Sequence, residues 1–588
     1  MDFKIKEKFY VEGQPVKLIS GAVHYFRIPP TQWRQTLKNL QAMGCNCVET
    51  YIPWNLHEPM KGQFNFSGLA DVIKFLGIAE ELGLFIIVRP SPYICGEWDF
   101  GGLPAWLLRD GNMRVRSQHP LYLQAITDYY AVLLPKLVPY QFTKGGKLLM
   151  VQVENEYGSY SEDKIYLKFL VEELRKFLNV PLFTSDGGWK EALEAGTLTE
   201  ENLLATVNFG SDAAGNFASL QAYQKKNGLV QPLMCMEFWN GWFNSWQKPI
   251  IRRNPQETAE EVRAVLQKGS INFYMFQGGT NYGFYNGCSD AGRDNDPQIT
   301  SYDYDAPLTE WGAPTDKYFA IQKVIKEEVP TAKIAEPIYP EVINLGTYSI
   351  QESVGLFAVL EDITTPIIHD YTLPMEQLGQ NFGYILYRSS LVNKRYIEKL
   401  KIVNASDRVQ FFINQEAVAT QYQETLGQEI SFELKKEQNE LSLLVENMGR
   451  NNYGPKLVAD TQRKGIRSGV MEDIHYISDW AHYCLEFTSE QLAKIDFSKA
   501  ANEKLPSFYK TVIHLPQVVN TFLDCSRFGK GVVFVNGQNM GRYWSIGPVK
   551  TLYISDYFWQ EGANEVIIFE TEGIAIDELR FTQLPIME

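Results

Sequence analysis

The segment Leu148–Tyr160 reads LLMVQVENEYGSY. An apolar run ends there in Glu154-Asn155-Glu156, two groups able to give and take protons around one amide. Side chains alternate along a strand, so Glu154 and Glu156 are expected on one face if extended backbone persists that far. The plain alternative is a rim carboxylate paired with a nearby Arg. A second segment, Leu233–Trp246, reads LMCMEFWNGWFNSW. Glu237 closes an apolar run and precedes Phe238 and Trp239, with Trp242, Phe243 and Trp246 beyond. Burying an unpaired carboxylate is costly, so core packing explains this residue poorly. Rings beside a carboxylate suit the C–H face of a sugar and a transition state with oxocarbenium character. Two carboxylates across one cleft are what glycoside hydrolysis uses. One protonates the leaving oxygen and later deprotonates water, and in the retaining version the other attacks the anomeric carbon. Glu237 is expected as the ionised member. The other member needs a raised pKa, which burial and a second carboxylate supply. Spacing alone leaves Glu154 and Glu156 both open for that role, and it carries no carboxyl separation from which to read stereochemistry.

These residues need a frame that brings distant strand ends together. Residues 1–330 alternate short apolar runs with amphipathic helical runs. The expected strands are Lys17–Ser20, Cys45–Tyr51, Leu84–Arg89, Leu148–Glu154, Leu182–Ser185, Leu204–Asn208, Leu233–Phe238 and Asn272–Phe276. The expected helices are Trp33–Met43, Leu69–Leu82, Leu121–Leu137, Lys164–Leu178, Leu220–Lys226, Glu257–Lys268 and Lys317–Glu327. Eight strands interleaved with helices predict an α/β fold, a (β/α)8 barrel whose strand C-termini carry the site. Glu156 and Glu237 then sit on strands four and seven. The other strand ends mix polar and aromatic residues, as sugar binding requires. They are His24–Arg27, Tyr51–Glu58, Arg89–Trp98, Gln277–Phe284 and Ser301–Asp305. A doubly wound sheet is the rival, but no phosphate fingerprint follows the first strand.

Residues 331–340 read as a linker. Beyond them come short alternating runs broken by Gly, Asn and Asp, which predict two all-β sandwich domains, 341–490 and 491–588, jelly-roll-like and free to exchange strands. A weak repeat, RVQFFIN at Arg408–Asn414 and KGVVFVN at Lys530–Asn536, supports two units.

The 588 residues hold 55 Lys plus Arg and 70 Asp plus Glu, a net charge of −15 that argues against a phosphate-tracking surface. No HExxH, Cys/His ligand spacing, P-loop or GxSxG elbow occurs, so neither a metal nor a cofactor is expected. Asp290, Asp294 and Asp296 share one loop without calcium-loop spacing, and His57-Glu58 reads as a cap or rim. The seven Cys include no CxxC, no apolar leader follows the first residues, and no 18-residue apolar run exists. These features predict a cytoplasmic protein without a membrane span. The 78 aromatic residues (12 Trp, 32 Tyr, 34 Phe) exceed what a core alone suggests and point to a stacking surface.

The motifs GAVHYFR (Gly21–Arg27), TYIPWNLHEP (Thr50–Pro59), GGLPAWL (Gly101–Leu107), VQVENEY (Val151–Tyr157) and SYDYDAPL (Ser301–Leu308) resemble those of glycoside hydrolase family 35 β-galactosidases. ENMGRNNYG (Glu446–Gly454) and Gly529–Trp544 resemble the family in the β-rich part. The resemblance implies a retaining exo-β-galactosidase with Glu156 as acid/base and Glu237 as nucleophile. It implies that Tyr51, Cys95, Gly96, Glu97, Asn155, Tyr302 and Tyr304 hold the galactose, and that the protein is often a homodimer. The chain departs from relatives at Gly96, where many carry Ala, and at Trp239, where animal lysosomal relatives carry Tyr. The extra ring, with Trp242 and Tyr453, leads to an expected preference for β-1,3-linked galactosides such as Gal-β1,3-GlcNAc. The substrates expected are small oligosaccharides or glycan termini bearing β-linked galactose. A transglycosylase or an exo-glycosidase for another sugar, using the same carboxylates, is the alternative. A non-catalytic carbohydrate-binding protein would lack one of them.

Overall fold

The computed structural model describes residues 2–290, 295–500 and 504–588; Asp294 lies outside them. Eight parallel strands close a barrel: Ile19–Val23, Cys47–Tyr51, Phe85–Arg89, Leu148–Gln152, Leu182–Gly187, Leu204–Phe209, Met234–Trp239 and Ser270–Gln277. They are buried on both faces, which is why they read as nearly continuous apolar runs. Helices cover them outside, started by side-chain caps such as Asn254, which accepts from the amides of Gln256 and Glu257 ahead of Pro255. The sixth-strand helix is longer than its pattern predicted, Ala213–Lys226, because its first turns are built of small and polar residues. The helix Lys190–Gly196 gave too short a period to be read. A three-stranded N-terminal sheet, Phe3–Val16, plugs the barrel floor. Phe9 packs there with Leu18, Met150, Phe183, Met234 and Met236.

Beyond the barrel the chain order is not the packing order. The strands Gly346–Ser349 and Glu352–Gly355 pair with Glu578–Thr582 and Ser507–Leu515, completing a four-stranded and a five-stranded sheet in the far β unit. The chain then builds the near unit from a six-stranded and a four-stranded sheet and returns to the far one. The sequence repeat is structural. Asn414 and Asn536 end equivalent strands with φ 51° and 49°. Each accepts at its side-chain oxygen from the facing strand, Asn414 from Glu440 N at 3.1 Å and Asn536 from Glu565 N at 3.0 Å.

Both β units are locked to the barrel by buried charge. Glu446 accepts two bonds from Lys530 Nζ at 2.6 Å and pairs with Arg542 at 3.3 Å, and Arg542 also bonds Asn286 of the eighth-strand loop. Arg450 reaches Asp99 at 3.1 Å and Glu376 at 2.6 Å. Tyr282 and Phe284 leave the barrel and join the cores of the far and middle β layers. That corrects their expected place among the sugar-facing residues: burial of the rings outcompetes exposure at the rim. Replacing Glu446 with Ala leaves two cations buried without their partner. The expected cost is about 3–5 kcal/mol, read by denaturant unfolding.

Candidate active site

Strand four ends at Gln152, earlier than expected, and the chain turns sharply after it. Glu154 and Glu156 both take left-handed backbone, φ 57° and 45°. This breaks the alternation and overturns the expectation that the two carboxylates share a face. Glu154 points away from the barrel mouth, where Arg116 grips it with two bonds of 2.9 and 2.8 Å and Tyr166 adds a third. It is the rim salt bridge. Asn155 and Glu156 instead enter the mouth together.

Glu237 leaves strand seven into the same space. Its Oε1 accepts from Arg89 at 2.6 Å and from the Tyr51 hydroxyl at 2.7 Å, and its Oε2 from the Trp239 indole at 3.1 Å. Arg89 is fully buried, with its guanidinium 4.1 Å above the Tyr51 ring. Below it lies Glu49, 3.9 Å away, whose carboxyl burial pushes up to about 7. A Glu49 tending to neutrality leaves the Arg89 charge directed mainly at Glu237. The Asn155 oxygen accepts from Arg89 and Gln152 and shares the one Tyr51 hydroxyl proton with Glu237, which turns its amide N–H2 toward the pocket.

Glu156 is half-buried opposite. Asn208 donates to its Oε1 at 2.9 Å. Burial and then the charge of Glu237 push its carboxyl up to about 8. The Asn208 bond opposes that and does not reverse it. One carboxyl is thus set to hold a proton at neutral pH while the other is ion-paired, the division of labour an acid and a nucleophile need.

One wall is the loop after strand three. Cys95, Gly96 and Glu97 follow one another in left-handed backbone, φ 57°, 55° and 47°. Arg27 holds this loop by bonds to the Gly96 and Glu97 carbonyls at 2.6 and 3.0 Å. Its guanidinium lies 3.7 Å over the Tyr302 ring. Tyr302 is buried and does not line the cavity; its hydroxyl bonds Glu97. Burial raises the Glu97 carboxyl to about 7. Tyr304 lines the pocket, and its carbonyl accepts from the Trp242 amide at 3.0 Å.

Together these residues enclose a cavity of about 230 Å³. That is below the roughly 300–1,000 Å³ of sites that hold drug-sized ligands, and it fits one sugar ring rather than a threaded chain. Of the residues singled out in the sequence, Tyr51, Cys95, Gly96, Glu97, Asn155, Glu156, Glu237, Trp239, Trp242, Tyr304 and Tyr453 line it. Trp242 is 36% exposed and Tyr453 49%, so both stand at the mouth. Trp98 does not line it: it is buried against Tyr285 and Phe26. Phe243, one of the rings expected around Glu237, lines the cavity too, and the structure adds Tyr274, Trp189 and Asn452, with Arg89, Asn208 and Asp186 behind it. Asn452 arrives from the near β unit, where its amide bonds Cys95 Sγ at 3.3 Å. Among the described residues no group of three His, Cys, Asp or Glu could hold a metal ion, and no helix is long and apolar enough to cross a membrane.

Residues 8–328 match the model of Glycosyl hydrolases family 35. Residues 372–486 match the first all-beta domain of beta-galactosidase, and 506–564 its galactose-binding domain. The chain is 37% identical to beta-galactosidase-1-like protein 2 of Homo sapiens, over 98% of its own length and 90% of that protein. It is 38% identical to a beta-galactosidase of Xanthomonas manihotis, over 93% of its length and 90% of that protein. Against beta-galactosidase 17 of Arabidopsis thaliana the identity is 35%, over 97% and 87%.

Proposed function

The chain belongs to glycosyl hydrolase family 35, and from that premise we propose that it is a retaining exo-β-galactosidase working through a galactosyl-enzyme ester on Glu237. The observation that carries the reading is the pair of unlike carboxyls in one closed-ended cavity. Glu237 is held by Arg89 and Tyr51, and burial together with the charge of Glu237 pushes the Glu156 carboxyl up to about 8. In the first step Glu237 Oε attacks the anomeric carbon, the C–O bond to the leaving group breaks, and Glu156 gives its proton to that oxygen. In the second step Glu156 takes a proton from water, the water oxygen bonds the anomeric carbon, and the ester to Glu237 breaks. Two displacements return the β configuration. A cavity of about 230 Å³, sized for one ring, supports action on terminal galactose, with Asn155, Glu97, Tyr304 and the 95–96 backbone as hydroxyl partners.

Leaving-group selection falls to the mouth. Trp239 and Trp242 meet edge to face with centroids 5.6 Å apart, and the half-exposed Tyr453 lines the same cavity. This favours a flat, stacked second sugar and supports a preference for β-1,3 over β-1,4 galactosides. Trp239 has a second duty through its bond to Glu237, so its removal confounds the two roles. Trp242→Ala and Tyr453→Ala are the cleaner test. A lost stacking ring is worth about 0.5–1.5 kcal/mol, so kcat/KM on Gal-β1,3-GlcNAc should fall about 2–10-fold while lactose changes little. Equal turnover of both linkages, unchanged in either variant, would sink the preference. The seven unpaired thiols support a reducing compartment, the cytoplasm.

A further inference from the structure

We propose that Asp186 is a positioning residue for Glu156: its carboxylate pins the turn that carries the acid/base, and its negative charge keeps the proton of that group in place. The inference rests on Glu156 being the acid/base.

Asp186 is the penultimate residue of strand five, directly beside the turn. Two bonds tie the turn to this strand. Glu156 N donates to the Ser185 carbonyl at 3.1 Å, and Gly158 N donates to Asp186 Oδ1 at 2.7 Å. The carboxylate therefore accepts from the amide two residues after Glu156, and Glu156 itself sits in left-handed backbone that needs outside support. The fit is close. A Cβ on Gly196 would come within 2.1 Å of Asp186 Oδ2, and one on Gly158 within 1.9 Å of the Ala192 carbonyl. Helix Lys190–Gly196 is thus packed hard against the back of the turn, and only glycine permits both approaches.

The charge has few places to go. The ionisable groups that act on Asp186 are Glu154, Arg116 and Lys164, with Tyr223 facing it from the sixth-strand helix and Glu156 from the turn. Lys164 Nζ is already spent on the carbonyls of Glu194, Ala195 and Thr197, and Arg116 on Glu154. No full counter-ion touches Asp186 among the described residues. Burial pushes the Asp186 carboxyl itself up to about 7, so it is ionised as pH approaches the alkaline limb near 8, and there its charge adds to that of Glu237 in disfavouring ionisation of Glu156.

The test is the pH profile of kcat/KM on a β-galactoside with a sugar leaving group. Asp186→Asn keeps the acceptor for Gly158 and removes the charge. The alkaline limb should move down by about half a pH unit, with the rate at the optimum within about threefold of wild type. Asp186→Ala also removes the acceptor, and kcat should fall on the order of tenfold with KM nearly unchanged, since no galactose contact is touched. An unmoved limb in Asp186→Asn overturns the proposal, and the folded Asn variant decides this even if the Ala variant does not fold. A Glu156→Gln enzyme run in parallel separates the two levels. If it retains full activity, the assignment of Glu156 fails; if it is inactive while the Asp186→Asn limb stays put, only the role of Asp186 fails.

Discussion

Glu237→Gln is expected to lower kcat on a nitrophenyl β-galactoside by on the order of 10⁴-fold or more, the scale of a lost nucleophile. The amide has the size of the carboxylate and can still accept from Arg89, which needs an acceptor at 2.6 Å. It cannot form the ester. Its N–H2 then meets the Trp239 indole N–H, donor against donor, where the carboxylate accepted at 3.1 Å. That mismatch is local, and Asn155, Glu97 and Tyr304, the proposed partners of the galactose hydroxyls, lie outside it. Galactose binding by calorimetry should therefore survive in the variant. A Glu237→Gly enzyme given azide should yield the α-galactosyl azide, because the small anion attacks from the face Glu237 has vacated. Activity within tenfold of wild type in Glu237→Gln would remove this residue as the nucleophile.

The sequence carried the frame and the two candidate carboxylates, but not the surroundings that make them differ. The eight strands were legible because burial on both faces leaves unbroken apolar runs, and their helices because an amphipathic period needs only the helix itself. Glu237 was legible because a carboxylate among rings has no cheap structural reading. Glu154 and Glu156 could not be separated by spacing. Period-two logic fails at the first left-handed residue, and a Glu at positive φ leaves no mark in composition. Arg89 was legible only as one polar residue of a strand end and Glu49 read as strand filling, since their partners come from strands 148–152, 234–239 and 270–277. Asn208, Asp186 and Tyr274 were missed for the same reason: each matters only through a neighbour strand brought beside it by barrel closure. Tyr282 and Phe284 were misplaced in the opposite sense. They look like rim residues because they follow a barrel strand, and only the β units show where their rings are buried. Of the 78 aromatic residues, about eight surround the cavity, so the excess that first attracted notice is mostly core.

A Glu156→Ala enzyme should separate the two halves of the reaction. General acid and base catalysis contributes about 10²–10⁴-fold, and a sugar leaving group, poor without a proton, should show that loss in kcat/KM. A dinitrophenyl β-galactoside leaves without help, so its first step stays near wild type while the second, which needs a base, slows. The galactosyl-enzyme then accumulates, KM falls together with kcat, and mass spectrometry should find the sugar on Glu237. Azide needs no base, so it should restore turnover and give the β-galactosyl azide, the anomer opposite to that from Glu237→Gly. The pH dependence carries the same sign. Glu156 is raised, to about 8, so its acid form is present at neutral pH and is lost as pH climbs through that value. The alkaline limb of wild-type kcat/KM on a disaccharide follows that loss, and it belongs to the interacting pair rather than to Glu156 alone, because Glu237 contributes to the shift. On the dinitrophenyl substrate Glu156→Ala should lack the limb altogether. If the limb persists there, or if azide gives no β-azide, the proton that limits the reaction sits on another group, and Glu97, raised by burial in the pocket lining, would have to hold it.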